Sequence, residues 1–83
     1  MSAEEIKEII IREILEIAPE MSEGDIDSDA HIQRSLEIDS FDFLRILTAL
    51  NKAIGVEVPE ADYGKVDTLN HMVDYFVRHL EKR

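Results

Sequence analysis

The stretch Asp39-Ser40-Phe41-Asp42-Phe43-Leu44-Arg45-Ile46-Leu47-Thr48-Ala49-Leu50-Asn51-Lys52-Ala53-Ile54-Gly55 reads as one helix with both of its ends marked. Asp39 is a natural cap, with Asp42 three residues on, and Gly55 suits the position just past a helix end. At about 100° per residue, Phe43, Ile46, Leu47, Leu50, Ala53 and Ile54 share one side, a core face. Phe41, Leu44 and Thr48 fall opposite, among Arg45, Asn51 and Lys52. One core cannot bury both sides. Phe41 and Leu44 are therefore expected to be at least partly exposed, unless the preceding loop folds over them.

On the N-terminal side, Ser2 and Glu5 form a capping-box pattern. Ile6, Ile9, Ile10, Ile14 and Ile17 then recur at helical spacing, which predicts a first helix over 3–18, stopped at Ala18-Pro19. Residues 19–37 show no sustained period and read as a long loop, with Ile26, Ile32 and Leu36 as its anchors in the core. Loops of that length are often functional.

On the C-terminal side, Val56-Glu57-Val58-Pro59 makes a turn into a short helical piece near 60–66, where Tyr63 and Val66 join Ile54 and Leu69 as core contacts. Asp67 or Thr68 caps a last helix whose stripe is Leu69, Met72, Val73, Phe76, Val77 and Leu80. Arg78, Lys82 and Arg83 suit the negative end of its dipole. The expected fold is all-α: a four-helix bundle of three main helices and one short helix, with a long loop between the first and second. Residues 1–83 read as a single domain.

A chain of 83 residues buries only about 60% of its unfolded surface, which leaves little room for a core and a deep catalytic cleft together. No apolar run is long enough to span a membrane, and Met1-Ser2-Ala3-Glu4-Glu5 is not a secretory signal, so a cytoplasmic protein is expected. With no cysteine, any thiol chemistry must use a thiol supplied from outside. The net charge of −10 repels nucleic acid and anionic membranes. Residues 1–37 hold 11 acidic and 3 basic side chains, against 8 and 6 in the remainder. Nothing demands more than a monomer.

Ser40 is the chemically suggestive residue. Asp39 can supply the cap, which leaves the Ser40 hydroxyl free to face solvent. A phosphate ester there would lie at a helix N-terminus, where amide N–H groups and the dipole stabilise an anion. Other constellations are weaker. Asp25, Asp27 and Asp29 alternate like the start of a calcium loop, but Ala30 and Leu36 occupy positions that need Gly and Glu. His31, His71 and His79 lack metal-ligand spacing, so no metal site is assigned. A triad built on Ser40 would lack the Gly-x-Ser-x-Gly elbow and an oxyanion element, so no catalytic residue is assigned.

Leu36-Glu37-Ile38-Asp39-Ser40-Phe41-Asp42, Ile54-Gly55-Val56-Glu57-Val58-Pro59 and Thr68-Leu69-Asn70-His71-Met72-Val73-Asp74-Tyr75-Phe76 together resemble the acyl carrier protein family, well over residues 26–80 and more loosely in the first helix. The resemblance implies a bundle of four helices. It also implies a Mg²⁺-dependent phosphopantetheinyl transferase that moves 4′-phosphopantetheine from coenzyme A onto Ser40, beside Asp39. The thiol of that arm would hold acyl groups as thioesters for acyl-loading and acyl-transfer enzymes. Such a protein is a carrier and not a catalyst. Partner docking is expected at Phe41, Asp42, Leu44, Arg45, Thr48 and Lys52.

Three departures stand out. Glu37 replaces the usual glycine three residues before the serine. Arg45, Asn51 and Lys52 stand where typical fatty-acid carriers have acids. Phe43, on the core face, replaces a small residue and would narrow any acyl pocket. These point to a specialised carrier in a lipid or secondary-metabolite pathway, served by dedicated partners. The alternatives are an amino-acyl or peptidyl carrier, and a helical adaptor without cofactor that binds through Phe41 and Leu44.

Overall fold

The computed structural model describes residues 1–82; the expectation for Arg83 lies outside the described residues. The chain forms α1 (Ala3–Ile17), α2 (Ile32–Ser35), α3 (Ser40–Ile54) and α4 (Leu69–Glu81), with 3₁₀ segments at Glu23–Asp25 and Glu60–Val66. The expected all-α bundle is what forms: α1, α3 and α4 are its main helices, and Glu60–Val66 is its short one.

Each long helix starts where its sequence marks it. The Ser2 hydroxyl accepts from the Glu5 amide at 3.2 Å, and the Glu5 carboxylate accepts from the Ser2 amide at 3.1 Å. The Ser2 amide first, and then the Ser2 hydroxyl, hold the Glu5 carboxyl below the ordinary value for a glutamate. Thr68, rather than Asp67, caps α4, its hydroxyl accepting from the His71 amide at 3.0 Å. Gly55 ends α3 at φ 84°, a left-handed conformation that costs a residue with a side chain far more. Its N–H donates to the Asn51 carbonyl at 2.8 Å.

Ile6, Ile10 and Ile14 of α1, Ile46 and Leu50 of α3, and Met72 and Phe76 of α4 are at most 1% exposed and form the centre of the core. α1 packs on both α3 and α4, and Glu60–Val66 packs on α4. Val66, Leu69 and Ile54 are buried as expected, whereas Tyr63 is only half-buried. Ala53 is exposed, contrary to its expected place on the core face of α3. It lies about 75° from the centre of the buried arc, and its methyl is too short to reach inward.

The segment 19–37 is not the structureless loop that its sequence predicts. It contains the Glu23–Asp25 turn and α2, and it is sewn to the start of α4. The Ile32 amide donates to the Asp67 carbonyl at 2.8 Å, the Asn70 amide to the Ser28 carbonyl at 3.0 Å, and the Asn70 side-chain amide to the Asp29 carboxylate at 2.6 Å. His31 and Thr68 pair as an isolated bridge. Ile32 and Leu36 anchor the segment in the core as expected, and Ile26 packs against it. The three alternating aspartates face different partners: Asp25 accepts from Ser22, Asp27 from the Asp29 amide, and Asp29 from Asn70. Among the described residues no group of acids or histidines converges as a metal site.

Tyr75 is a core residue absent from the predicted stripe of α4. It is covered by the Glu60–Val66 segment, and its hydroxyl donates to the Asp62 carboxylate at 2.7 Å. Burial, then that carboxylate, push the phenol up to about 12. The folded form thus holds this proton more tightly than the unfolded chain. The stabilisation is whole below about pH 10 and is lost as the pH rises towards 12. Asp62 behaves in the opposite sense. The Tyr75 hydroxyl, then Lys65, hold its carboxyl below the usual aspartate range. Its contribution is present above about pH 4 and is lost as the pH falls through the lowered folded value. Thermal melts from pH 9 to 12 are expected to show wild-type stability falling more steeply than that of Tyr75→Phe. Parallel curves would refute the assignment.

Candidate functional site

The chain entering α3 is held residue by residue. α2 ends in a Schellman-type turn: the Ile38 amide donates to the Gln33 carbonyl at 3.0 Å, and Glu37 takes the left-handed position at φ 54°. This is where the sequence lacks the family's glycine, and the backbone turns there nonetheless. Ile38 is 6% exposed and Phe43 5%, both in the core, at the spacing of a hydrophobic staple across the helix start. Ile38 is not among the core anchors expected from the sequence. The signal was present, an apolar residue directly before a cap with another five positions on.

A non-glycine residue in the left-handed region costs roughly 1 kcal/mol, while glycine adds unfolded-chain entropy of somewhat smaller size. Glu37→Gly is therefore expected to stabilise the domain by about 0.5 kcal/mol, or a few degrees in Tm. A calorimetric scan showing a lower Tm would contradict this.

Asp39 is the cap of α3, its Oδ1 accepting from the Asp42 amide at 2.8 Å. Ser40 is the first residue of the helix and is exposed. Its hydroxyl has no hydrogen-bond partner among the described residues, because Asp39 has taken the capping role. The first-turn amides beside it lack helical acceptors, and the positive end of the α3 dipole lies there. A phosphate ester on this oxygen would meet solvent on one side and those amides on the other.

Of the expected docking residues, Phe41 and Leu44 are 71% and 40% exposed. The segment 19–37 does not cover them. Arg45, Thr48 and Lys52 are exposed and Asp42 is half-buried. Arg45 contacts Asp42 at 3.3 Å, and the Thr48 hydroxyl donates back to the Leu44 carbonyl at 2.9 Å. All of these lie on α3, but Lys52 is about 18 Å along the axis from Ser40. The histidines lie elsewhere. His31 caps α2, His71 pairs with Asp67 at 2.6 Å, and His79 stacks on the Tyr75 ring with centroids 4.0 Å apart.

Residues 4–76 match the family model described as a phosphopantetheine attachment site, which places the chain among phosphopantetheine-bearing carrier domains. It is also 32% identical over 76 residues to the acyl carrier protein of Rubrobacter xylanophilus, across 88% of this chain and 94% of that protein. The chain belongs to the acyl carrier protein family. Its cofactor is therefore covalently bound 4′-phosphopantetheine, and it is a carrier and not a catalyst. Membership implies a phosphopantetheinyl transferase and acyl-handling enzymes as partners. Among the described residues, no helix is long and apolar enough to cross a membrane.

Proposed function

We propose that Ser40 carries the arm, that Asp39 holds the helix start on which it stands, and that residues 1–83 work as one carrier domain, a cytoplasmic monomer. The observation behind this is the exposed Ser40 hydroxyl, without a partner among the described residues, on the first turn of a helix that its neighbour caps. In loading, the Ser40 oxygen bonds to the phosphorus of coenzyme A that bears the pantetheine. The pyrophosphate link breaks, the nucleotide leaves, and the serine proton passes to a base of the transferase. Once attached, the arm supplies a thiol that holds acyl groups as thioesters at high effective concentration near docked enzymes. No side-chain thiol competes for the acyl group, since the chain has no cysteine.

The partners are enzymes dedicated to this carrier, in a lipid or secondary-metabolite pathway. Support comes from Arg45, Asn51 and Lys52 on the exposed side of α3, which give it a charge unlike that of the rest of the chain.

Incubation with coenzyme A, Mg²⁺ and a broad-specificity phosphopantetheinyl transferase is expected to add one arm per chain, which fragment masses place on Ser40. An unmodified chain beside a loaded control carrier, or an arm on another residue, would overturn the assignment.

A further inference from the structure

Down the side of α3 opposite the core, Phe41, Arg45, Thr48 and Lys52 follow at i, i+4, i+7 and i+11, with Leu44 at the edge. Together with Ala49 they line one shallow groove. Its floor is apolar: Phe41 and Leu44 are exposed, and the Thr48 hydroxyl is turned back on the Leu44 carbonyl. Its charge is positive. From Phe43 to Val56 the chain has two cations and no acid, in a protein of net charge −10. Arg45 lends one nitrogen to Asp42 at 3.3 Å, an exposed pair of little strength. Lys52 has no ion pair among the described residues. Asp42 stands beside Arg45 at its N-terminal end, and Glu57 lines the adjoining hollow with Leu44 and Thr48.

We infer that this face docks on a partner protein whose surface offers an apolar socket for Phe41 and Leu44, bordered by carboxylates that meet Arg45 and Lys52. Charge complementarity selects this occupant. Repulsion from acids farther than about 8 Å is largely screened at physiological salt, whereas contacts made at the groove itself are short. The inference rests on the reading of Ser40 as the loaded residue, because it concerns the enzymes that the arm must reach.

The test is NMR titration of the ¹⁵N-labelled full chain with two synthetic amphipathic helical peptides. Both carry the same Phe/Leu stripe, flanked by Glu in one and by Lys in the other. The Glu-flanked peptide is expected to shift the amides of residues 41–52, and Arg45→Glu with Lys52→Glu to weaken it about tenfold, as two exposed attractions become repulsions. The Lys-flanked peptide is expected to perturb residues 1–37 instead. The inference is overturned if the Glu-flanked peptide leaves 41–52 unshifted, if charge reversal leaves its affinity unchanged, or if the Lys-flanked peptide binds this face more tightly. Self-association in sedimentation that Phe41→Ser abolishes would also overturn it, since the occupant would then be a second copy. Intact mass after transferase treatment of the same sample keeps the two readings apart. A loaded arm without peptide binding removes only the docking inference, and peptide binding without an arm removes only the assignment of Ser40.

Discussion

Ser40→Ala is expected to reduce arm attachment from one per chain to none while leaving the fold intact. The hydroxyl is exposed and makes no hydrogen bond among the described residues, so its removal leaves no buried group unpaired. Alanine is a good helix former, and Asp39 still caps the Asp42 amide. Stability should therefore stay within about 0.5 kcal/mol of wild type. Intact mass after transferase treatment reads the first effect and a thermal melt the second. An arm that still attaches to Ser40→Ala would mean that another hydroxyl is the acceptor.

Phe76→Ala is expected to remove a large part of the stability of the domain. Phe76 is fully buried and meets the Tyr75 ring edge-on, with centroids 5.8 Å apart. Truncating a buried phenylalanine costs about 3–5 kcal/mol. At about 0.05–0.15 kcal/mol per residue, a chain of this length has only about 4–12 kcal/mol in total. Urea unfolding should show the loss as a lower midpoint. Phe76→Leu keeps most of the volume and serves if the alanine variant does not fold. A loss below about 1 kcal/mol for Phe76→Ala would contradict the central position of this ring in the core.

The bundle was legible because its three long helices each carry an apolar period and a marked start. The double-sided composition of α3 also foretold that Phe41 would be exposed, since a helix has only one side to give to a core. The rest depended on contacts between segments distant in sequence. The bonds that sew residues 28–32 to residues 67–70 leave no trace in local periodicity, so an ordered segment read as a loop. Tyr75 became a core residue only because Glu60–Val66 lies over it, and that placement is tertiary. Ser40 was legible through its neighbour: an aspartate able to cap leaves the next hydroxyl without a structural task. The partners proposed for α3 are not legible in one chain, because the answer also lies in their surfaces.

The left-handed turn at Glu37 and the buried Ile38 beside it bear on motion. They clamp the backbone on the near side of Ser40, and α3 stiffens it on the far side. A load hung from that oxygen, as proposed, would swing from a stationary post. The volume it swept would be set by the length of its tether and not by bending of the protein.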